Sequence, residues 1–262
     1  MNESLITYQL DGPVALIGLN RPDKRNAIND PLIDDLRSAV LRAHEEADVA
    51  VLFGHGSNFC AGLDLAEALA RATGQIKPPR KRRRHNWHEV FDLIARGPIP
   101  FVAALHGAVV GGGLELATAA HVRVGDESLL CGLPEGQRGI FVGGGGTVRI
   151  QRVVGTTVMT DMMLTGRLLN AAESLQEHVV RYLVPTGEAL NKARELAARI
   201  AKNSLETNWM IINVLPRIHD MSHDDGLFVE QLNSARARPP EAEARLRDFV
   251  DGKAEKLQRH PA

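Results

Sequence analysis

The hydrophobic pattern of the chain predicts a hairpin, a helix and a buried strand near its N-terminus. Two apolar runs, residues 5–10 and 13–19, flank the dipeptide Asp11-Gly12, and this arrangement predicts a β-hairpin. Residues 31–47 carry apolar side chains at helical spacing, and the continuous apolar run 49–53 predicts a buried strand. Helical and extended elements therefore alternate from the start.

A second strand and helix follow further along the chain. Residues 100–105 predict a strand that runs through a glycine-rich turn into a helix beginning near Gly112. Helical patterns return at 147–154, 156–164 and 171–178, a strand is predicted at 179–184, and the chain is mostly helical from Glu188 onward. The order of elements indicates an α/β protein whose last part is helical.

Composition limits the classes of function. The 262 residues, 44% hydrophobic and 24% charged, fit one globular domain with at most a small helical appendage. A formal net charge of −1 provides no general attraction to nucleic acid or to an anionic membrane. The N-terminus lacks a signal-peptide pattern, and two cysteines are too few for a disulfide framework or a structural zinc site. We expect a cytoplasmic protein without a metal or a membrane span.

Several common catalytic motifs do not occur in the chain. The glycine run 143–146 lacks the lysine of a phosphate-binding loop, and no complete dinucleotide fingerprint, serine nucleophile elbow or zinc-protease motif is found. Two glycine-rich turns remain, each at the junction of a strand and a helix, where backbone N–H groups can face a single oxygen. Loss of one donor from such an oxyanion hole typically costs about 2.7–4 kcal/mol of activation barrier.

Four sequence blocks, in order, resemble the crotonase (enoyl-CoA hydratase/isomerase) family. The first is Asn20-Arg21-Pro22 with Arg25-Asn26-Ala27, and the second is residues 59–65, Phe-Cys-Ala-Gly-Leu-Asp-Leu. The third is residues 107–116, which contain Gly111-Gly112-Gly113 and Glu115, and the fourth is Leu133-Pro134-Glu135 followed by Gly139 and residues 143–147. Together the blocks are specific, although each alone is a weak signal.

The resemblance implies a fold and an assembly. It implies a crotonase-like spiral of ββα repeats in residues 1–200, holding the CoA and catalytic site, and a C-terminal helical trimerisation region in residues 201–262. A homotrimer or homohexamer is expected. No cofactor is implied, because coenzyme A is part of the substrate.

The resemblance also implies a reaction, the reversible addition of water to a 2-enoyl-CoA thioester. The N–H groups of Leu63 and Gly112 would bind the thioester oxygen, with Glu115 and Glu135, 20 positions apart, as the catalytic pair and Glu115 as the base. The other implied substrate-binding residues are Arg25, Ala27, Ala61, Gly62, Asp64, Leu65, Trp87 and Gly111.

Other interpretations stay open at this stage. Each glutamate has a structural alternative, Glu115 as a bonded core carboxylate and Glu135 as a first-turn helix residue. Within the family the reaction could instead be acyl-CoA isomerisation or thioester hydrolysis. The cluster Arg80–Arg84 fits a solvated loop or contacts with CoA phosphates, and it also raises the alternative of an RNA-binding hydratase homologue, although nucleic acid is not favoured.

The chain departs from the family pattern in places. His121 stands where many relatives have aspartate, and Ile140-Phe141-Val142 replaces a proline-containing turn. Residues 71–84 differ from the usual substrate helix and predict a mobile loop between two helices. Near the C-terminus, Phe249 and Lys253 match the family's Phe-x-x-Lys only loosely. The acyl group and its pathway, whether of fatty, amino or aromatic acids, are therefore left open.

Overall fold

The computed structural model describes residues 4–76, 87–236 and 240–253. The strands are β1 Ile6–Asp11, β2 Val14–Leu19, β3 Val49–Gly54, β4 Phe101–Leu105, β5 Ala108–Val110, β6 Val122–Asp126, β7 Leu130–Gly132, β8 Leu168–Leu169 and β9 Tyr182–Val184. The α-helices are α1 Asp30–Glu46, α2 Leu65–Ala72, α3 Trp87–Ala95, α4 Gly112–Ala117, α5 Gly146–Thr165, α6 Ala171–Gln176, α7 Ala189–Ile200, α8 Leu205–Asn213, α9 Leu215–Ile218, α10 His223–Arg236 and α11 Pro240–Val250. Short 3-10 turns occur at Pro22–Lys24 and Gly136–Arg138.

Six strands form the larger sheet, in the order β1-β2-β3-β4-β6-β9. The hairpin predicted at the N-terminus is confirmed: β1 and β2 are antiparallel, with Ile6 opposite Leu19. All later neighbours in this sheet are parallel. Parallel neighbours require long crossover connections, and here helices lie in those connections.

Both faces of the larger sheet are buried, which explains its continuous apolar runs. On one face Ile17 and Leu52 join the main core together with side chains of α1 and α3. On the other face Leu16 and Val51 pack in a second cluster with Leu196 and its neighbours on α7. A parallel sheet covered on both faces needs apolar side chains at successive positions rather than at alternate ones.

The smaller sheet supplies the second strand of each ββα repeat. Strand β5 pairs with β7 in parallel and β7 with β8 in antiparallel, while Cys60 forms a bridge to Val109. The chain thus visits the larger sheet, then the smaller one, then a helix, and begins again, as in β4, β5 and α4. This is the spiral of ββα repeats expected from the sequence, and the predicted fold class is confirmed.

Two elements differ from the sequence-based expectation. The strand predicted at 179–184 is limited to Tyr182–Val184, because the Val179 carbonyl accepts a hydrogen bond from Arg123 Nε (2.6 Å) and the Val180 N–H donates to Ser174. The loop predicted from residue 71 begins later, since Arg71 belongs to α2 and pairs with Glu67. The predicted break between 147–154 and 156–164 is present: Gly155 (φ 79°, ψ 157°) interrupts α5.

The C-terminal part is helical, as expected. Helices α8 to α11 follow α7, and the side chain of Asn213 ties α8 to the core by donating to the Gly97 carbonyl (3.0 Å). The division into residues 1–200 and 201–262 stays a prediction. The cluster Arg80–Arg84 lies outside the described residues.

Candidate active site

Glu115 lies buried on α4. Gly111, in a positive-φ conformation (56°), makes the turn that starts the helix, and Glu115 is only 2% exposed. One carboxylate oxygen, Oε1, accepts hydrogen bonds from the N–H groups of Gly144 (2.7 Å) and Gly146 (2.8 Å). The glycine run 143–146 therefore holds this carboxylate with backbone donors.

Glu135 lies beside the turn at Gly111 and has fewer hydrogen bonds than Glu115. It directly precedes the 3-10 turn Gly136–Arg138 and is 6% exposed. A Cβ atom on Gly111 would lie 2.7 Å from Glu135 Oε1, while Oε2 is buried with no hydrogen-bond partner among the described residues. Burial, and after it the nearby charge of Glu115, raise the pKa of Glu135 above its ordinary value.

The two predicted oxyanion donors belong to turns that pack against each other. A Cβ atom on Gly62 would lie 2.5 Å from the Val110 carbonyl and 3.2 Å from the nitrogen of Gly112, so the turn that carries Leu63 packs directly against the start of α4. Within the described ranges, neither the Leu63 nor the Gly112 N–H donates a backbone hydrogen bond. Both donors are therefore available to a ligand oxygen.

A cleft of about 220 Å³ leads to these groups. Nine of the predicted site residues line it: Arg25, Ala27, Ala61, Gly62, Leu63, Asp64, Leu65, Gly111 and Glu135. Gly112, Glu115 and Trp87 are not among the residues that line this cleft. The structure thus brings the four sequence blocks together around one opening.

Trp87 covers the turn at Gly112. A Cβ atom on Gly112 would overlap the six-membered ring of Trp87, so glycine is required for the ring to lie there. The ring of Phe91, one helical turn later on α3, lies 6.2 Å from that of Trp87, measured between ring centroids. Two aromatic side chains therefore form one wall beside the predicted oxyanion hole.

Asp64 has a structural role that the sequence comparison did not indicate. Its carboxylate caps α2 by accepting from the N–H of Glu67 (3.2 Å), and it pairs with Arg21 (3.1 Å). Burial raises the pKa of Asp64, but these hydrogen bonds and the Arg21 charge outweigh burial, so the pKa lies below its usual value. Arg21 and Asp64 join the first two sequence blocks and fix the shape of the cleft.

The departure at His121 leaves a neutral side chain. His121 Nδ1 accepts a hydrogen bond from the Phe101 N–H (2.9 Å), and burial lowers the pKa of the imidazole to about 4. Burial also raises the pKa of the Cys60 and Cys131 thiols to about 12, so neither is a thiolate nucleophile near neutral pH.

A larger cavity of about 770 Å³ lies behind the glycine run, between α3, α5, α8 and α9. His88, Asp92, His121 and Arg149 are among its lining residues, but none of the predicted catalytic or substrate-binding residues is. Its size therefore does not make it the reaction site.

Sequence reasoning missed several residues that the structure adds to the site. Lys24, Arg138 and Ile140 line the cleft, and Arg149 donates to the carbonyl of Gly144, whose N–H binds Glu115. The only available signal was the glycine run before a helix, which was recognised without its role of holding Glu115. Contacts between residues about 30 positions apart leave no local pattern.

Comparison with known proteins agrees with this geometry. The model of the enoyl-CoA hydratase/isomerase family matches residues 10–233. The chain belongs to this family. It is 34% identical over 225 residues to "Probable enoyl-CoA hydratase 2, mitochondrial" of Arabidopsis thaliana, covering 85% of this chain and 73% of that one.

Solved structures of the family share the whole fold. A "putative enoyl-CoA hydratase" from Rhodopseudomonas palustris CGA009 is 43% identical, with a TM-score of 0.85 over 95% of this chain and 96% of that chain. Enoyl-CoA hydratase from Bacillus anthracis is 26% identical, with a TM-score of 0.84 over 95% and 97%. Among the described residues, no helix is long and apolar enough to cross a membrane.

Proposed function

We propose that this family member is an enoyl-CoA hydratase, which adds water reversibly to a 2-enoyl-CoA thioester. The observation that supports the proposal most is the pair of buried carboxylates beside two available N–H donors. Glu115 is held by two backbone donors, whereas Glu135 Oε2 has no partner among the described residues. A buried polar atom without a partner is costly unless water or a ligand binds it.

In this mechanism the thioester oxygen accepts hydrogen bonds from the N–H groups of Leu63 and Gly112. The two bonds stabilise the enolate-like oxyanion that forms when hydroxide adds to Cβ. They also hold the double bond in place between the glutamates, so water and alkene meet in a fixed geometry.

The glutamates then move the protons. Oε1 of Glu115 is occupied by two N–H donors, which leaves Oε2 to accept a proton from the attacking water. Glu135, whose pKa is raised by burial, keeps a proton more readily than an exposed carboxyl and donates it to Cα. Before the next turnover Glu115 must release the proton that it took from water and Glu135 must take one up, so that the net reaction consumes only water.

The first test is incubation with crotonyl-CoA and a panel of longer, branched and aromatic enoyl-CoAs. We expect loss of the enoyl-thioester absorbance and a product heavier by one water. Glu115→Gln and Glu135→Gln should each lower kcat by about 10²–10⁴-fold, the usual contribution of a positioned acid or base. Glu127→Gln, at an exposed position, serves as the control and should keep wild-type kcat.

Other products would assign other reactions. Free CoA would identify a thioester hydrolase, and a shifted double bond would identify an isomerase. If the wild-type protein transforms none of these thioesters, the proposal is rejected.

The apolar exposure of the last two helices supports self-association. Phe228 on α10 is 62% exposed and Val250 on α11 is 82% exposed. Several other apolar side chains on the two helices are exposed as well. We propose that these helices pack against other copies in a homotrimer or homohexamer, and light scattering during size exclusion tests this. Phe228→Ser should shift the mass toward that of one chain, and an unchanged mass would contradict the use of this surface. We also propose a cytoplasmic location for this chain. The name of the Arabidopsis relative includes the word mitochondrial, so the family is not confined to one compartment.

A further inference from the structure

Arg149 is linked to Glu115 through a single residue, Gly144, and its side chain is only 15% exposed. From α5 its Nη1 donates to Asp92 Oδ1 on α3 (2.8 Å), and its Nη2 donates to the carbonyl oxygen of Gly144. One guanidinium therefore links α3, α5 and the glycine run 143–146.

Gly144 is bonded on both sides of its Cα. Its N–H donates to Glu115 Oε1, and its carbonyl accepts from Arg149. No side chain fits at this position, because a Cβ would lie 2.8 Å from the Phe91 ring and 3.2 Å from Glu115 Cδ. The orientation of the Gly144 N–H, and with it the place of the Glu115 carboxylate, therefore depends on the hydrogen bonds on either side of the residue.

The glycine run has little stiffness of its own. Gly145 adopts a left-handed conformation (φ 91°), which glycine reaches at no steric cost and leaves as easily. The next donor, Gly146, is the first residue of α5, so its N–H is also oriented by this turn. Arg149, one turn into the same helix, spans the flexible part by binding Gly144.

Stability alone gives a weak reason for this arginine. Burial lowers the pKa of Arg149, which shows that the cation loses hydration, and its Nε has no hydrogen-bond partner among the described residues. Its partner Asp92 is 38% exposed, and an ion pair that reaches solvent in this way contributes little to stability. The contact with the Gly144 carbonyl is the feature that an apolar side chain could not reproduce.

We propose that Arg149 is a positioning residue, which fixes the Gly144 peptide and thereby holds the Glu115 carboxylate in place for proton transfer. The inference rests on the proposed hydratase function. Arg149 touches neither substrate nor water in this mechanism and acts through Gly144. Asp92 in turn orients the guanidinium from the side.

The test compares Arg149→Met with Arg152→Met, three residues further along α5. Arg152 also forms an ion pair, with Asp220 (3.0 Å), but it lies on an exposed part of the helix. For Arg149→Met we expect kcat for crotonyl-CoA to fall by about 10–10²-fold, the scale of a misplaced catalytic group, with KM within twofold. KM should hold because Arg149 is not part of the cleft that receives the substrate. Arg152→Met should leave both constants unchanged.

Conservative replacement gives a second readout. Arg149→Lys keeps the charge but supplies a single ammonium, which can bind Gly144 or Asp92 but lacks the fork that joins both. We expect it to recover part of the lost kcat. A kcat for Arg149→Met within twofold of wild type would overturn the inference, as would equal losses in the Met and Lys variants that simply follow a lower Tm.

A measurement without substrate separates this inference from the proposed function. Hydrogen exchange of the Gly144 and Gly146 amides, followed by NMR, should become at least tenfold faster in Arg149→Met and stay unchanged in Arg152→Met. If the wild type hydrates no enoyl-CoA, the proposed function fails, and faster exchange would still support the fixing of the glycine run by Arg149. Unchanged exchange at both amides would overturn it, whatever the activity.

Discussion

Glu115 and Glu135 are the two buried carboxylates proposed for the reaction, yet their surroundings differ. Glu115 is held by two N–H donors of a glycine run, with Arg149 behind that run. Glu135 follows a proline, faces the cleft, and has one oxygen without a partner among the described residues. The first carboxylate is fixed by the fold and the second is left free to bind, a division of roles that suits a base with fixed geometry and an acid that contacts its substrate.

The largest effect on this comparison is expected from a substitution that crowds the carboxylate of Glu115. In Gly146→Ala the new methyl group would lie 2.8 Å from both Cγ and Oε1 of Glu115, so the carboxylate must move. We expect kcat to fall by about 10²-fold, as for an error of about 1 Å in a catalytic group. Steady-state kinetics with crotonyl-CoA measures this effect.

The same run provides a matched control for that substitution. A Cβ on Gly143 meets no atom within 4 Å, and its φ lies outside the left-handed region, so Gly143→Ala should keep wild-type kcat. Equal losses in the two variants would mean that the run responds to any added methyl group, and the fixed geometry of Glu115 would then not be the cause.

A smaller effect is expected at Glu135, and it concerns the stability of the folded protein. Because burial raises the folded-state pKa of Glu135, the folded protein binds this proton more tightly than the unfolded chain does. As pH rises from the unfolded pKa through the folded pKa, Glu135 therefore lowers the free energy of unfolding. Glu135→Gln removes the penalty, so its Tm should exceed that of wild type at pH 8, and the difference should shrink at pH 4.

Differential scanning calorimetry at the two pH values measures this difference. Glu127→Gln, at an exposed site, should show no such pH dependence. If the Tm of Glu135→Gln lay below that of wild type at pH 8, Glu135 would be a stabilising carboxylate. It would then not fit the role of the general acid that donates a proton to Cα.

Much of the fold was predictable because its signals are local. The buried strand β3 follows from the continuous apolar run 49–53, and the break of α5 at Gly155 follows from a single glycine in a helical pattern. The shortening of the strand at 179–184 was not predictable, since it depends on Arg123, more than 50 positions away, bonding to Val179. Tertiary hydrogen bonds of this kind override a local preference for extended structure.

The candidate site was predictable to a different extent. The glycine turns and the two glutamates carry the family pattern, and residues from all four sequence blocks line one opening. The roles of Gly144 and Arg149 could not be predicted from the sequence. Every residue except proline has a backbone N–H, so the sequence does not show which one binds a carboxylate. An arginine in the first turn of a helix resembles any surface arginine. Their assigned roles, like those of the glutamates, stay predictions until measured.

The row that joins Cys60, Val109, Cys131 and Leu169 across the smaller sheet has one more consequence. Both thiols in this row are fully buried, and both come from different turns of the spiral. An alkylating reagent can therefore reach either sulfur only after its own turn has opened, and labelling at each cysteine reports how often that turn opens. The two cysteines, which take no part in the proposed reaction, allow the local opening rates around the segment after β3 and around β7 to be compared within one unmodified chain.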